Sequence, residues 1–112
     1  MTIPSFAISV TRNGASTRIV PTGELDIATS PALERAIAEA TADPGAELVL
    51  DLRELTFMDS TGLRALAQTN ARADEDGFSL TIWRGSRQIE RVLEISGLGA
   101  LLPLEDAPAD GL

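Results

Sequence analysis

The sequence predicts an α/β domain in which a mixed sheet of four to five strands carries its helices mainly on one side. Three observations point there. Stretches that alternate apolar and polar residues take turns with stretches whose apolar residues recur three and four apart. Turn formers, Asn13-Gly14, Asp43-Pro44-Gly45 and Gly77, fall between these stretches. The order begins with a hairpin and then repeats strand and helix, so an antiparallel pair is joined to strands linked by right-handed crossovers.

Phe6, Ile8 and Val10 alternate with Ala7, Ser9 and Thr11, the period of a strand with one buried face. Asn13-Gly14 supplies residues that tolerate positive φ in a tight hairpin. A second strand returns through Thr17, Ile19 and Leu25. Pro21 cannot donate to a ladder, which predicts an edge or a bulge and a break in pairing there. Ser30 reads as an N-cap and Pro31 as the first helical position, followed by Leu33, Ala36, Ile37 and Ala40 at helical spacing. Leu48, Val49, Leu50 and Leu52 form a nearly continuous apolar run that suits the middle of the sheet.

Leu63, Leu66, Ala67, Asn70 and Ala71 mark a second helix that ends before Gly77, with Asn70 expected to satisfy a buried backbone group. Phe78, Leu80 and Ile82 alternate as a fourth strand. Trp83 falls out of their register and is expected to pack on the opposite face. Ser86 caps a third helix carrying Ile89, Val92 and Leu93; Gly97 fits its left-handed end, with Leu98 folding back onto Leu93. Leu101 to Glu105 adds a short last strand limited by Pro103, and residues 105–112 read as a frayed tail. No repeat or linker divides the chain, so residues 1–112 are expected to form a single domain.

Composition excludes whole classes of chemistry. The 112 residues carry nine basic and seventeen acidic side chains, a net charge of −8, which disfavours a general nucleic-acid binder. All the basic residues are arginine, and the sequence contains no cysteine, histidine, lysine or tyrosine. Disulfides, thiolate or imidazole metal sites, Ser-His-Asp and Cys-His catalysis and a phosphate-binding lysine are therefore ruled out. No apolar stretch reaches spanning length, and Met1 to Ser5 lack the basic start and apolar run of a signal peptide, so a soluble cytoplasmic protein without membrane contact is expected.

The densest local signal is Leu52-Arg53-Glu54-Leu55-Thr56-Phe57-Met58-Asp59-Ser60-Thr61-Gly62-Leu63, linking the central strand to the second helix. Strand ends that feed helix N-termini are where α/β sheets place function. Asp59 and Ser60 have a plain alternative reading as helix caps, and Thr61 as a helix residue that bonds locally. Yet two hydroxyls beside Gly62 give a partner a place to approach closely. Glu24 and Asp26 form an acidic pair without a third ligand, which fits a capping or partner-contacting loop better than a metal site. Gly97-Leu98-Gly99 lacks the third glycine and the preceding strand of a dinucleotide loop.

Thr22-Gly23-Glu24-Leu25-Asp26, the run from Leu48 to Leu63 with Asp59-Ser60-Thr61-Gly62-Leu63, and Ser96-Gly97-Leu98 together resemble the STAS domain, and more closely the bacterial anti-anti-sigma factors. The likeness runs from about Phe6 to Leu104. It implies a STAS fold and a protein that is not an enzyme and needs no cofactor or metal. It further implies binding, while unphosphorylated, to an anti-sigma factor that is also a serine kinase, which frees a sigma factor. Phosphorylation of the serine matching Ser60 causes release, and a metal-dependent serine phosphatase reverses it. The partner-binding residues implied are Gly23, Glu24, Asp26, Phe57, Met58, Asp59, Ser60, Thr61 and Gly62, with Gly97 matching the turn after the third helix. Two other readings remain: a non-switching STAS subunit of a membrane transporter complex, and a weak nucleotide-binding or hydrolysing protein, in which Ser60 or Asp59 would lack an activating base.

Overall fold

A computed structural model describes residues 6–109. Met1 to Ser5, read above for a leader, and the last three residues of the expected tail lie outside the described residues. Strand β1 (Phe6–Asn13) turns back into β2 (Ser16–Leu25), and α1 (Ser30–Ala40) leads to β3 (Glu47–Asp51). Then come β4 (Leu55–Met58), α2 (Ser60–Asp76), β5 (Ser79–Trp83), α3 (Arg87–Ser96), a 3-10 turn (Leu98–Ala100) and the two-residue β6 (Leu104–Glu105). The sheet order is β1-β2-β3-β5-β6, with β4 also paired to β2. Only β1 and β2 are antiparallel among these pairs. The sheet is therefore mixed, as expected, with six strands among the described residues rather than four or five.

One core joins all three helices to one face of the sheet. Leu33 and Ile37 of α1, Leu66 of α2 and Ile89 and Leu93 of α3 pack in a single buried cluster with Ile19, Leu48, Leu50 and Ile82 of the strands. Burial of these aliphatic side chains, about 1.5–3 kcal/mol each, is the main force holding the layers together. The apolar run Leu48–Leu50 lies in the middle of the sheet, paired on both sides.

Several local expectations shift. The hairpin turn is Gly14-Ala15, with Gly14 alone at positive φ, and Asn13 stays in the strand opposite Ser16. Val10 is 51% exposed, because β1 is the outermost strand and α1 covers its edge incompletely. The second strand does not break at Pro21: it stays paired to β1 throughout, with Pro21 opposite Ile8. On its other side, pairing with β3 ends at Ile19 and pairing with β4 begins at Gly23, so the missing N–H falls where no strand lies alongside. The N-cap of α1 is Thr29 rather than Ser30, because a turn built by Asp26 starts the helical backbone one residue early. Ser30 becomes a buried first-turn residue whose hydroxyl has no partner among the described residues. On α2 the buried face runs through Gly62, Ala65, Leu66 and Thr69; Ala71 is exposed, and Asn70 donates to the Leu101 carbonyl at 3.2 Å near the surface.

Among the described residues, no helix lies on the opposite face of the sheet. Register places Arg18, Val49 and Thr81 in one row and Asp51 beside Trp83. Trp83 is half-buried there with two guanidinium groups over its ring, Arg53 at 5.2 Å and Arg18 at 5.5 Å from the centroid. Asp51, 2% exposed, accepts from Arg53 Nε at 3.0 Å, Arg53 Nη2 at 2.9 Å and the Arg53 backbone N–H at 3.0 Å. Burial pushes the Asp51 carboxyl up, but the Arg53 hydrogen bonds and the charges of Arg53 and Arg18 outweigh it and hold the group below its ordinary value.

A carboxyl whose pKa is lowered by folding adds stability that is complete above its unfolded pKa and is lost as pH falls through its folded pKa. Asp51→Asn should therefore cost about 1–3 kcal/mol at neutral pH. That gap should close as pH drops below about 4. Thermal unfolding of parent and variant across the acid range checks this, and a gap independent of pH would refute it.

Candidate functional site

The site lies where the ends of β2 and β4 run side by side. Glu24 pairs with Phe57 and Leu25 with Met58, and the Asp59 N–H donates to the Leu25 carbonyl at 3.2 Å. Two loops thus emerge together: residues 26–29 leading into α1, and Asp59 leading into α2. The hand-over needs Gly23. Its φ of +100° suits glycine, its N–H donates to the Glu54 carbonyl at 3.1 Å, and the register slips by one residue between Gly23 and Glu24.

Asp59 caps α2. One of its carboxylate oxygens, Oδ1, accepts from the backbone N–H of Thr61 at 2.9 Å and of Gly62 at 3.1 Å. The cap and the functional reading thus divide between neighbours, since Asp59 does the capping and leaves Ser60, the first helical residue, exposed at the surface. Thr61 is half-buried.

Gly62 and Met58 do not reach the surface. Gly62 is buried and Met58 is 3% exposed, and a Cβ on Gly62 would lie 2.6 Å from Met58 Cγ and 3.0 Å from Leu25 Cγ. The expectation that Gly62 admits a partner is corrected: the missing side chain admits the core, letting α2 sit down on β4 and β2. Both residues position the site rather than present it. Phe57, by contrast, is 43% exposed.

Across from Ser60, Asp26 organises the other loop. Its Oδ1 accepts from the Ala28 N–H at 3.0 Å and the Thr29 N–H at 3.2 Å, while Thr29 Oγ1 accepts from the Asp26 N–H at 2.9 Å and donates to the Glu24 carbonyl at 2.8 Å. Asp26 is thus committed to the turn, and Glu24 is exposed. Among the described residues no group of three or more carboxylates is placed to hold a metal ion. The turn lifts Ile27 into solvent at 76% exposure. Ile27 was not singled out from the sequence, although an isoleucine between Asp26 and Ala28 in a capped turn has no neighbour to bury it. Ile27 and Phe57 frame the Ser60 end with exposed apolar surface, a composition suited to a protein contact.

Gly97 lies farther along, at the left-handed end of α3 with φ +78°. Leu98 is partly buried against the core, and Ser96 Oγ donates to the Leu93 carbonyl at 2.9 Å.

The family model described as Mlab, STAS domain matches residues 8–103. The chain belongs to the STAS domain family. Within it, the STAS chain is 36% identical over 90 residues to the anti-sigma-F factor antagonist RsfB of Mycobacterium tuberculosis, covering 80% of this chain and 73% of RsfB. A crystal structure of an anti-sigma factor antagonist from Mycobacterium paratuberculosis superposes with a TM-score of 0.78 at 31% identity, covering 99% of this chain and 95% of the other. The Bacillus cell fate determinant SpoIIAA in its phosphorylated form shares the fold, with a TM-score of 0.71 at 21% identity, covering 93% and 94% of the two chains. The relatives place the STAS chain among the anti-sigma factor antagonists.

Introducing a methyl group at Gly62 tests the packing of this site. Gly62→Ala gains helix propensity, but the 2.6 Å approach to Met58 Cγ forces α2 away from β4. The net effect should be a loss of about 1–3 kcal/mol. Denaturant unfolding measures it, and an alanine variant as stable as the parent would show that α2 does not depend on this close approach.

Proposed function

We propose that the protein is an anti-sigma factor antagonist whose hold on its anti-sigma factor is set by the phosphorylation state of Ser60. The observation that carries this reading is the Ser60 hydroxyl itself, exposed on the first residue of α2 while Asp59 satisfies the amides of Thr61 and Gly62. In this reading the partner is an anti-sigma factor that is also an ATP-dependent serine kinase, and a metal-dependent serine phosphatase restores the binding form. The antagonist acts in the cytoplasm as their substrate and catalyses nothing itself. Its contact surface comprises Ser60, Phe57 and Glu24, with Gly23, Asp26, Met58, Asp59, Thr61 and Gly62 shaping it.

The physical argument concerns what a phosphate would and would not disturb. It adds about −1.5 to −2 charges and three acceptor oxygens at neutral pH. At a helix N-terminus the positive end of the dipole tolerates that charge, so the fold need not rearrange. The contact with the partner is what suffers, because a neutral hydroxyl becomes a dianion beside Asp59. A loss of about 3 kcal/mol there is a roughly hundredfold loss of affinity. The net charge of −8 adds background repulsion, but groups more than about 8 Å away are screened at physiological salt, so the charges next to Ser60, Asp59 first, dominate.

Incubation with the cognate anti-sigma kinase and ATP, followed by phosphosite mapping, should find phosphate on Ser60 and none on Thr61. Ser60→Ala should bind the kinase like the parent and resist release by ATP. Ser60→Asp should bind at least about tenfold more weakly. Equal binding by both variants, or phosphate placed elsewhere, would overturn the reading.

A further inference from the structure

Strand β1 ends the sheet, and its outer side faces no other strand among the described residues. Asn13 and Ser16 close the two-residue hairpin turn and so exchange both hydrogen bonds. Hydrogen-bonded and non-hydrogen-bonded pairs then alternate along the ladder, which leaves the N–H and C=O groups of Phe6, Ile8, Val10 and Arg12 pointing away from β2.

Edge strands are ordinarily protected by proline, lysine, a bulge or an inward charge. The eight residues of β1 contain no proline and no acidic residue, pair with β2 without a register shift, and carry one charge, Arg12, next to the strand's end. Val10 is 51% exposed on the side that faces α1. Beside it a cleft of about 180 Å³ is lined by Val10, Arg12, Thr17, Ala36, Glu39 and Ala40. Thr17, on the cleft wall, is 1% exposed, and its hydroxyl has no hydrogen-bond partner among the described residues.

We propose that β1 is a homodimer interface, at which two copies pair antiparallel about a two-fold axis at Ser9 and fuse their sheets into one. The occupant is a second copy because the strand is complementary to itself. With Ser9 on the axis, Ile8 stands opposite Val10 of the second copy and Phe6 opposite its Arg12, so every outward-pointing residue gains a hydrogen-bonding partner. Apolar residues meet apolar ones, and each guanidinium meets an aromatic ring instead of the other guanidinium. A register shifted by two residues leaves Phe6 or Arg12 without a counterpart. The layer above also fits. Helix α1 packs over both β1 and β2. The pairing therefore sets the two α1 helices on the same face of the joined sheet, one on either side of the new seam.

Antiparallel pairing points the two Ser60 ends in opposite directions, so the dimer leaves both exposed and does not depend on the switch proposed above. Two chains of net charge −8 repel each other, and association should therefore strengthen as salt screens that repulsion.

Sedimentation velocity of the parent, Val10→Lys, Ser9→Arg and Ser60→Asp tests this. The parent should dimerise at micromolar to millimolar concentration, more tightly in about 0.5 M salt than in dilute buffer. Val10→Lys and Ser9→Arg, at exposed positions on opposite faces of β1, should keep the parent's circular dichroism and weaken association at least about tenfold. Ser60→Asp should dimerise like the parent. A parent that stays monomeric at about 1 mM in high salt overturns the proposal. So does a folded Val10→Lys or Ser9→Arg variant that dimerises undiminished.

Discussion

The site depends on β2 changing partners part-way along its length. Its first half is paired with β3 through Ile19, and its second half with β4 from Gly23 onward. Proline is tolerated at position 21 because the hand-over leaves no carbonyl waiting for its N–H. The register slip at Gly23 then aligns Leu25 with Met58, so that the Asp59 N–H reaches the Leu25 carbonyl and α2 begins beside the turn that begins α1. Gly62 completes the geometry from the other side, since a side chain there would pry α2 off Met58 and Leu25. Backbone pairing, a proline and two glycines thus fix the surroundings of Ser60 before any partner arrives.

That rigidity bears directly on the chemistry proposed for Ser60. A switch that worked by refolding α2 would have to break the cap made by Asp59 and the contact of Gly62 with Met58. A switch that works by charge leaves both intact. Modification then changes what the surface repels while its shape is kept. Asp59 has two parts in this: its Oδ1 holds the first turn in place, and its negative charge adds to that of a phosphate on the next residue.

Much of this was legible in the sequence because it follows from local rules. Gly77 and Gly97 end α2 and α3 in left-handed conformations, Ser86 accepts from the Ile89 N–H, and the Leu48–Leu50 run sits at the centre of the sheet, all readable from residue type and spacing. Strand β4 was not, since four residues buried at Leu55 and Met58 and exposed at Thr56 and Phe57 show no alternation, and their pairing with the end of β2 is a tertiary fact. The buried face of α2 was misplaced for a related reason: Gly62 adds nothing to a hydrophobic pattern, yet its contact with Met58 and Leu25 sets the rotation of the helix. The Asp51–Arg53 pair was hidden because an acid at the end of an apolar run gives no sign of which face it will occupy.

The two faces of the sheet settle their polar groups differently, and this bears on where contacts can form. On the other face, Trp83 lies under both Arg18 and Arg53, and Arg53 is committed to Asp51 by three hydrogen bonds. A partner docking there would have to displace interactions already made. At the β1 edge nothing comparable exists: the outward backbone groups, Val10 and the Thr17 hydroxyl have no counterpart within the described chain. Association at that edge adds interactions without breaking any. The Ser60 end lies between these cases, with its backbone satisfied by Asp59 and Asp26 while Ile27 and Phe57 remain exposed. A protein contact at that end would rest on side chains, which is the condition the switch proposed for Ser60 requires.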